Sequence, residues 1–226
     1  LMYLWRNKQI ETGRKAAFMI SLIIGGSGSG KSAFAEDTLL SRSGSQRIYI
    51  ATMQPMDQEC LARIQRHRVM RAQKSFQTIE CYTHLHELRI ADALDSLHLS
   101  ENYRNPCHDR MRYDILLECI SNLVANECFA PQGSPNKAVQ AVVDGVHHLA
   151  AQAAQLVLVS SAVFSDGIAY DASTKAYMRC LAQVHARLAY FADEVIEMAA
   201  GYPLYYKRPQ GPRKKEGAGC GGSGVC

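Results

Sequence analysis

The sequence has no run of about 20 apolar residues, so no segment has the length and hydropathy of a membrane-spanning helix. Nor does it contain a C-x-x-C pair. Its eight cysteines, Cys60, Cys81, Cys107, Cys119, Cys128, Cys180, Cys220 and Cys226, lack the spacing of a zinc site. They are scattered through a chain of 226 residues with ample core-forming potential, so no disulfide framework is required and reduced thiols are expected. One-sided charge is missing too, with 25 Lys+Arg against 21 Asp+Glu. Much of the basic excess sits at the two ends, in Arg6, Lys8, Arg14 and Lys15, then in Lys207, Arg208, Arg213, Lys214 and Lys215. The near-neutral middle argues against a nucleic-acid partner. The short apolar start is broken by Arg6-Asn7-Lys8 with no long apolar core behind it, which is not a secretory signal, and a cytoplasmic location is the expectation. No internal repeat is visible.

What is present is a globular composition, 47% apolar, in a chain long enough for one α/β domain with a sizeable core. Residues 1–18 carry no clean period and read as an N-terminal extension outside the core. Phe18-Met19-Ile20-Ser21-Leu22-Ile23-Ile24 is a near-continuous apolar run ending in glycines, the pattern of a buried parallel strand. The patterning then predicts a helix over 32–40, a strand over 47–51, and a helix over 57–68 with Leu61 and Ile64 at helical spacing and Asp57 as N-cap. Residues 76–81 are expected to be extended and 86–97 to form one amphipathic helix. The polar stretch 98–112, with its Asn-Pro, reads as a loop. There follow a strand over 114–118, a helix over 120–129, a loop over 131–135, a helix over 138–154, a strand over 156–160, a helix over 173–191 and a strand over 194–199. Strands alternating with helices imply a doubly wound, mostly parallel sheet flanked by helices, as in P-loop NTPases. The expected domain is 19–208, and the Pro-, Gly- and Lys-rich residues 209–226 read as a disordered tail.

Gly25-Gly26-Ser27-Gly28-Ser29-Gly30-Lys31-Ser32 follows the first strand and opens the first helix. The spacing G-x-x-x-x-G-K-S lets the backbone curl so that its N–H groups point at phosphate oxygens, with a helix N-terminus behind them. Lys31 can reach the β- and γ-phosphates of ATP or GTP, and the Ser32 hydroxyl can hold Mg²⁺. Glu118 closes the strand Ile115-Leu116-Leu117 and reads equally as an acid beside the metal and as an acid that stabilises the next helix through its dipole. Near the end of the 57–68 helix runs Ile64-Gln65-Arg66-His67-Arg68-Val69-Met70-Arg71. Taken by itself, His67 is an ordinary helix C-terminal cation, and Arg68 and Arg71 are a solvated face.

These pieces occur in a recognisable order. Together with Tyr49-Ile50-Ala51-Thr52, Arg63-Ile64, Thr78 with Glu80, Leu116-Leu117-Glu118-Cys119, Asn122-Leu123, Leu188-Ala189 and Ala192-Asp193-Glu194-Val195, the chain resembles the bifunctional adenosylcobinamide kinase / adenosylcobinamide-phosphate guanylyltransferase family of cobalamin biosynthesis, from about Met19 to Lys207. The resemblance implies an enzyme that phosphorylates adenosylcobinamide with ATP or GTP. In its second reaction, neutral His67 attacks the α-phosphate of GTP, and the bound GMP passes to adenosylcobinamide phosphate. Lys31 would then be catalytic beside His67. Nucleotide would be held by 25–32, by Ala51, Thr52 and Met53, by Arg68, Val69, Met70 and Arg71, and by Glu80 and Glu118. Ser32 and Glu118 would hold Mg²⁺. The resemblance also implies a homo-oligomer, a trimer with its site near a subunit boundary.

The chain departs from the family's usual residues at Ala72 (Pro), at Phe76 (Trp) and at Ser161-Ala162-Val163-Phe164 (Asn-Glu-Val-Gly), and at Arg179, Ala182 and His185, where the family has Asp, Gly and Asn. Two other readings stand beside the bifunctional one: a kinase acting alone on a small molecule, and a non-catalytic nucleotide-binding protein. His67 with Arg68 and Arg71 favours the bifunctional reading, because a kinase needs no histidine nucleophile. The substitutions at Ser161, Ala162 and Arg179 favour the other two.

Overall fold

A computed structural model describes residues 18–42, 45–71, 74–97, 112–131, 133–163 and 170–209. The expected N-terminal extension up to residue 17, the loop at 98–111 and the tail from 210 lie outside the described residues.

Seven strands form one sheet: β1 (Met19–Gly25), β2 (Arg47–Ala51), β3 (Gln77–Glu80), β4 (Tyr113–Glu118), β5 (Ala153–Ser161), β6 (Glu194–Ala199) and β7 (Tyr202–Lys207), in the order β3-β2-β4-β5-β1-β6-β7. All neighbours are parallel except β6 and β7. The helices are α1 (Lys31–Arg42), α2 (Gln58–Arg71), α3 (Ile90–Ser96), α4 (Ile120–Phe129), α5 (Pro135–Gln152) and α6 (Ala172–Phe191), with a 3₁₀ turn at Leu85–Glu87. The doubly wound, mostly parallel architecture read from the sequence is the observed one.

Alternate residues of the central strands feed two cores, as the two-residue period of a strand buried on both faces requires. Leu22, Ile50, Leu117 and Leu158 pack on the side of α4, α5 and α6, against Leu123, Val142, Val146, Leu181 and Val184. Ile23, Tyr49, Leu116, Val157 and Ile196 face the other way, against Ala35 and Leu39 of α1. Polar tethers fix the order of the inner strands. Asp193 Oδ2 accepts from Ile20 N at 3.0 Å, and the buried Glu194 accepts from Ser21 Oγ at 2.9 Å, which ties β6 to β1.

Three boundaries differ from the sequence expectation. The single helix expected over 86–97 is broken at Leu88 and Arg89, both extended. Gln152 at the end of α5 holds the break open, accepting from Ile90 N and donating to Leu88 O, each at 2.9 Å. The side chain thus replaces the helical bonds the break gives up. α5 begins at Pro135, whose missing N–H costs nothing at a first helical position, and it ends before Ala153 and Ala154, which open β5. β7 was not expected as a strand at all. Its residues alternate in neither burial nor polarity, and Tyr202, Leu204, Tyr205 and Tyr206 are all exposed.

α2 stands apart from this packing: none of its described side chains is buried. Asp57 caps it as expected, accepting from Cys60 N at 2.7 Å. Just beyond its C-terminal end, Lys74 Nζ lies 2.7 Å from Glu36 of α1, a carboxylate 1% exposed. That ion pair pins the α2–β3 connection to the helix that follows the phosphate loop.

Candidate active site

In a parallel sheet the carboxyl ends of the strands share one edge, where ligands of such folds bind. Strand register brings most of the expected residues there: Gly25 lies beside Ser161, and Ala51 lies between Glu80 and Glu118. The loop from Gly25 to Ser32 leaves β1 at this edge. Gly28 and Gly30 take φ of 71° and 85°, left-handed conformations that L side chains resist. The loop is held from both sides: Gly25 O accepts from Ala162 N at 3.0 Å, and Ser29 O accepts from Gly201 N, in the β6–β7 turn, at 3.2 Å. Lys31 Nζ donates to Gly26 O at 2.9 Å, so its ammonium lies over the loop. Ser29 Oγ is buried without a hydrogen-bond partner among the described residues, as suits a loop that receives an anion's oxygens.

Glu118 is the meeting point of the site. Its Oε1 accepts from Ser32 Oγ, and its Oε2 accepts from Tyr49 Oη at 3.0 Å. The carboxylate therefore turns toward the phosphate loop, and α4 starts at Cys119 without a side-chain cap. A second carboxylate, Glu80, is held by Arg68 Nη2 at 2.8 Å and by Tyr82 Oη at 2.7 Å. Burial, and then the Glu80 carboxylate, push the Tyr82 hydroxyl up to about 12, which keeps it a donor at any physiological pH. The Arg68–Glu80 pair is half exposed and is the described side-chain tie between α2 and the sheet.

Thr52 is fully buried, and its hydroxyl is engaged by the backbone: Oγ1 donates to Cys119 O and accepts from Cys119 N, both at 2.8 Å. Asn126 of α4 adds a clamp, donating to Thr52 O at 2.9 Å and to Tyr82 O at 2.8 Å, so the loops after β2 and β3 are fixed to each other. Met53 is half-buried beside Thr52, and Val69 is exposed on α2. His67, Met70 and Arg71 lie on α2, but their side chains are outside the described residues. Tyr49, Tyr82, Asn126 and Gly201 were not among the residues expected at the site. The available signal for Tyr49 was a tyrosine inside a buried strand, since a buried phenol needs a partner.

The oxygen donors suit Mg²⁺, which takes one or two protein ligands and leaves its other positions to phosphates and water. Ser32 and Glu118 offer such a pair. Among the described residues no group of three or more His, Cys, Asp or Glu side chains forms a protein-only metal cage.

Of the departures from the family pattern, Ser161 and Ala162 lie against Gly25 of the phosphate loop, whereas Arg179 and His185 lie elsewhere. Arg179 lines a 390 Å³ groove between α5 and α6 with Gln140, Cys180 and Arg187. His185 is buried, with Nε2 2.7 Å from Ser160 Oγ, and burial pulls it down to about 4. Its pKa is thus below the unfolded value of about 6.5, so folding stability is fully present above pH 6.5 and is lost as pH falls toward 4. Chemical denaturation of wild type should show a loss of about 2 kcal/mol from this group between pH 7 and pH 5. His185→Asn, which can still bond Ser160, should remove that part of the pH slope. An identical slope in both proteins would refute it.

Residues 21–206 match the family described as cobinamide kinase / cobinamide phosphate guanyltransferase. The bifunctional adenosylcobalamin biosynthesis protein CobU of Salmonella typhimurium is 32% identical over 201 residues, covering 84% of this chain and all of that protein. Its Escherichia coli counterpart is 33% identical over 204 residues, with the same coverage. Among solved structures, an ATPase domain aligns at a TM-score of 0.45 and 12% identity, over 86% of this chain and 78% of its own. Among the described residues no helix is long and apolar enough to cross a membrane. On the family match and on two full-length relatives above 30% identity, the chain belongs to the cobinamide kinase / cobinamide phosphate guanyltransferase family.

Proposed function

We propose that the chain phosphorylates adenosylcobinamide with ATP or GTP and then transfers GMP from GTP to adenosylcobinamide phosphate, giving adenosylcobinamide-GDP. What carries the reading is the Ser32–Glu118 pair set against the phosphate loop, in a chain that belongs to this family. In the kinase step the loop N–H groups and Lys31 hold the β- and γ-phosphates, and the substrate hydroxyl attacks the γ-phosphorus while the nucleoside diphosphate leaves. Ser32 and Glu118 would hold Mg²⁺, which when bound supplies charge neutralisation across the phosphate oxygens.

In the second step a neutral His67 ring nitrogen forms a bond to the α-phosphorus, pyrophosphate leaves, and the ring proton passes to solvent. A phosphate oxygen of the acceptor then attacks the same phosphorus and releases His67. Arg68 and Arg71 would stabilise charge on the phosphates. Ala51, Thr52, Met53, Val69, Met70 and Glu80 complete the nucleotide site in this reading, with Thr52 acting through the loop it fixes. Assembly as a trimer and work in the cytoplasm, where ATP and GTP are supplied, belong to the same proposal.

The test is incubation of the purified protein with α-labelled GTP. An acid-labile, base-stable label on protein is the expected result, since phosphoramidates behave in that way. Phosphorylation of cobinamide without label would reduce the protein to a kinase. Absence of both reactions would leave a nucleotide binder.

A further inference from the structure

Tyr49 sits in the middle of β2 and is 4% exposed. Its ring packs with Leu39 of α1, Leu116 and Val157, the core on the α1 side of the sheet. Across the β2–β4 ladder it lies opposite Leu116. Glu118, two residues further along β4, projects to the same face, because side chains of a strand repeat every second residue. The phosphate loop enters α1 on that face as well. The phenol thus meets the carboxylate from beneath, donating to Oε2 at 3.0 Å while Oε1 meets Ser32 Oγ.

We propose that Tyr49 is a positioning residue for the metal-side carboxylate: its buried hydroxyl holds Oε2 of Glu118 so that Oε1 stays turned to Ser32 and to a divalent cation carried in with the nucleotide. The inference rests on the proposed role of Ser32 and Glu118 in holding Mg²⁺. A glutamate at a strand end has three side-chain torsions, and its terminal one is broad. Ser32 meets only Oε1, and one hydrogen bond to one carboxylate oxygen does not fix that torsion. Tyr49 can, because its ring is immobilised by the core and its hydroxyl holds Oε2, the oxygen that Ser32 does not meet. A hydrogen bond from a neutral donor to a carboxylate is charge-assisted, so it restrains the oxygen it meets.

The experiment measures Mn²⁺ binding, by electron paramagnetic resonance, to the full-length protein saturated with the β,γ-imido analogue of GTP. Tyr49→Phe keeps the ring and removes one oxygen. It should weaken Mn²⁺ about tenfold, the size expected for losing one hydrogen bond to a charged group. Metal-free binding of the analogue should change less than about twofold. The Mg²⁺ concentration that half-saturates the kinase reaction should rise by a similar factor, with kcat recovered at high Mg²⁺. Glu118→Gln should also weaken Mn²⁺, and the double variant should bind it no more weakly than Glu118→Gln alone, because a residue that acts through another adds nothing once that partner is gone.

Unchanged Mn²⁺ affinity in Tyr49→Phe, or an equal loss on adding it to Glu118→Gln, would overturn the positioning role. Unchanged affinity in Glu118→Gln would overturn the metal-side role of Glu118, and the positioning role with it. A failure of the label experiment would instead overturn the proposed guanylyl transfer and leave the metal result standing.

Discussion

Lys31→Ala is expected to lower phosphoryl-transfer turnover by at least three orders of magnitude while leaving the fold intact. The ammonium lies over the loop, 2.9 Å from Gly26 O, on a flexible stem that can extend to a phosphate. Its charge is the one cation built into the phosphate loop. In phosphoryl transfer catalysis is almost entirely positioning and charge stabilisation, so removing a cation at the transferring group acts on the barrier directly. Nucleotide affinity should fall less, by roughly tenfold, because the loop N–H groups and the α1 N-terminus remain. Stability should barely change, since the stem is not part of either core. A coupled kinase assay, titration calorimetry and a melting curve check the three parts. Turnover within tenfold of wild type would refute the assignment of this loop.

His67→Asn should abolish covalent guanylylation yet spare much of the kinase reaction. Asparagine keeps similar size and hydrogen-bonding capacity, but an amide nitrogen is not a nucleophile, so no phosphoramidate can form. Phosphoryl transfer to a hydroxyl depends instead on Lys31, Ser32 and positioning. The variant should also fold, because no described side chain of α2 is buried and neither core draws on that helix. The measurement sets label retained from α-labelled GTP beside phosphorylation of cobinamide from γ-labelled nucleotide. If the variant still takes label, another nucleophile is at work, and His86, His147, His148 and His185 are the next to replace. Equal collapse of both reactions would show that the two chemistries are not separable at this residue.

How far these features could be read in advance depended on the distance over which each is determined. β1, β2, β4 and β5 were legible because strands buried on both faces are apolar runs, and that is a local property. The phosphate loop was legible for the same reason, since eight consecutive residues carry its geometry. Glu118 was visible as an acid ending a strand, but not which way its carboxylate turns, because Ser32 lies 86 residues away in sequence. Tyr49 stands 69 residues from its carboxylate, and Asn126 stands 74 and 44 residues from the carbonyls it clamps, so no spacing rule finds either. The break at Leu88 was hidden because Gln152, whose amide makes it possible, belongs to another helix. β7 failed for a different reason. A strand identifies itself through the face it buries, and this one buries neither.

The place of β1 in the sheet also sets a timetable for synthesis. Of the described strands, the one that carries the phosphate loop is the first to leave the ribosome, yet it lies between β5 and β6. Its tethers to Asp193 and Glu194 span 173 residues, and Gly201, which holds the outer side of the loop, comes later still. Contacts so distant in sequence form late and slowly. A nascent chain that has made its complete phosphate-loop motif, and even its first four strands, still has that strand unflanked and its loop unbraced. Nucleotide can therefore stabilise only a chain made past Gly201, so retention on a nucleotide resin should separate translation products that extend beyond it from those stalled before it.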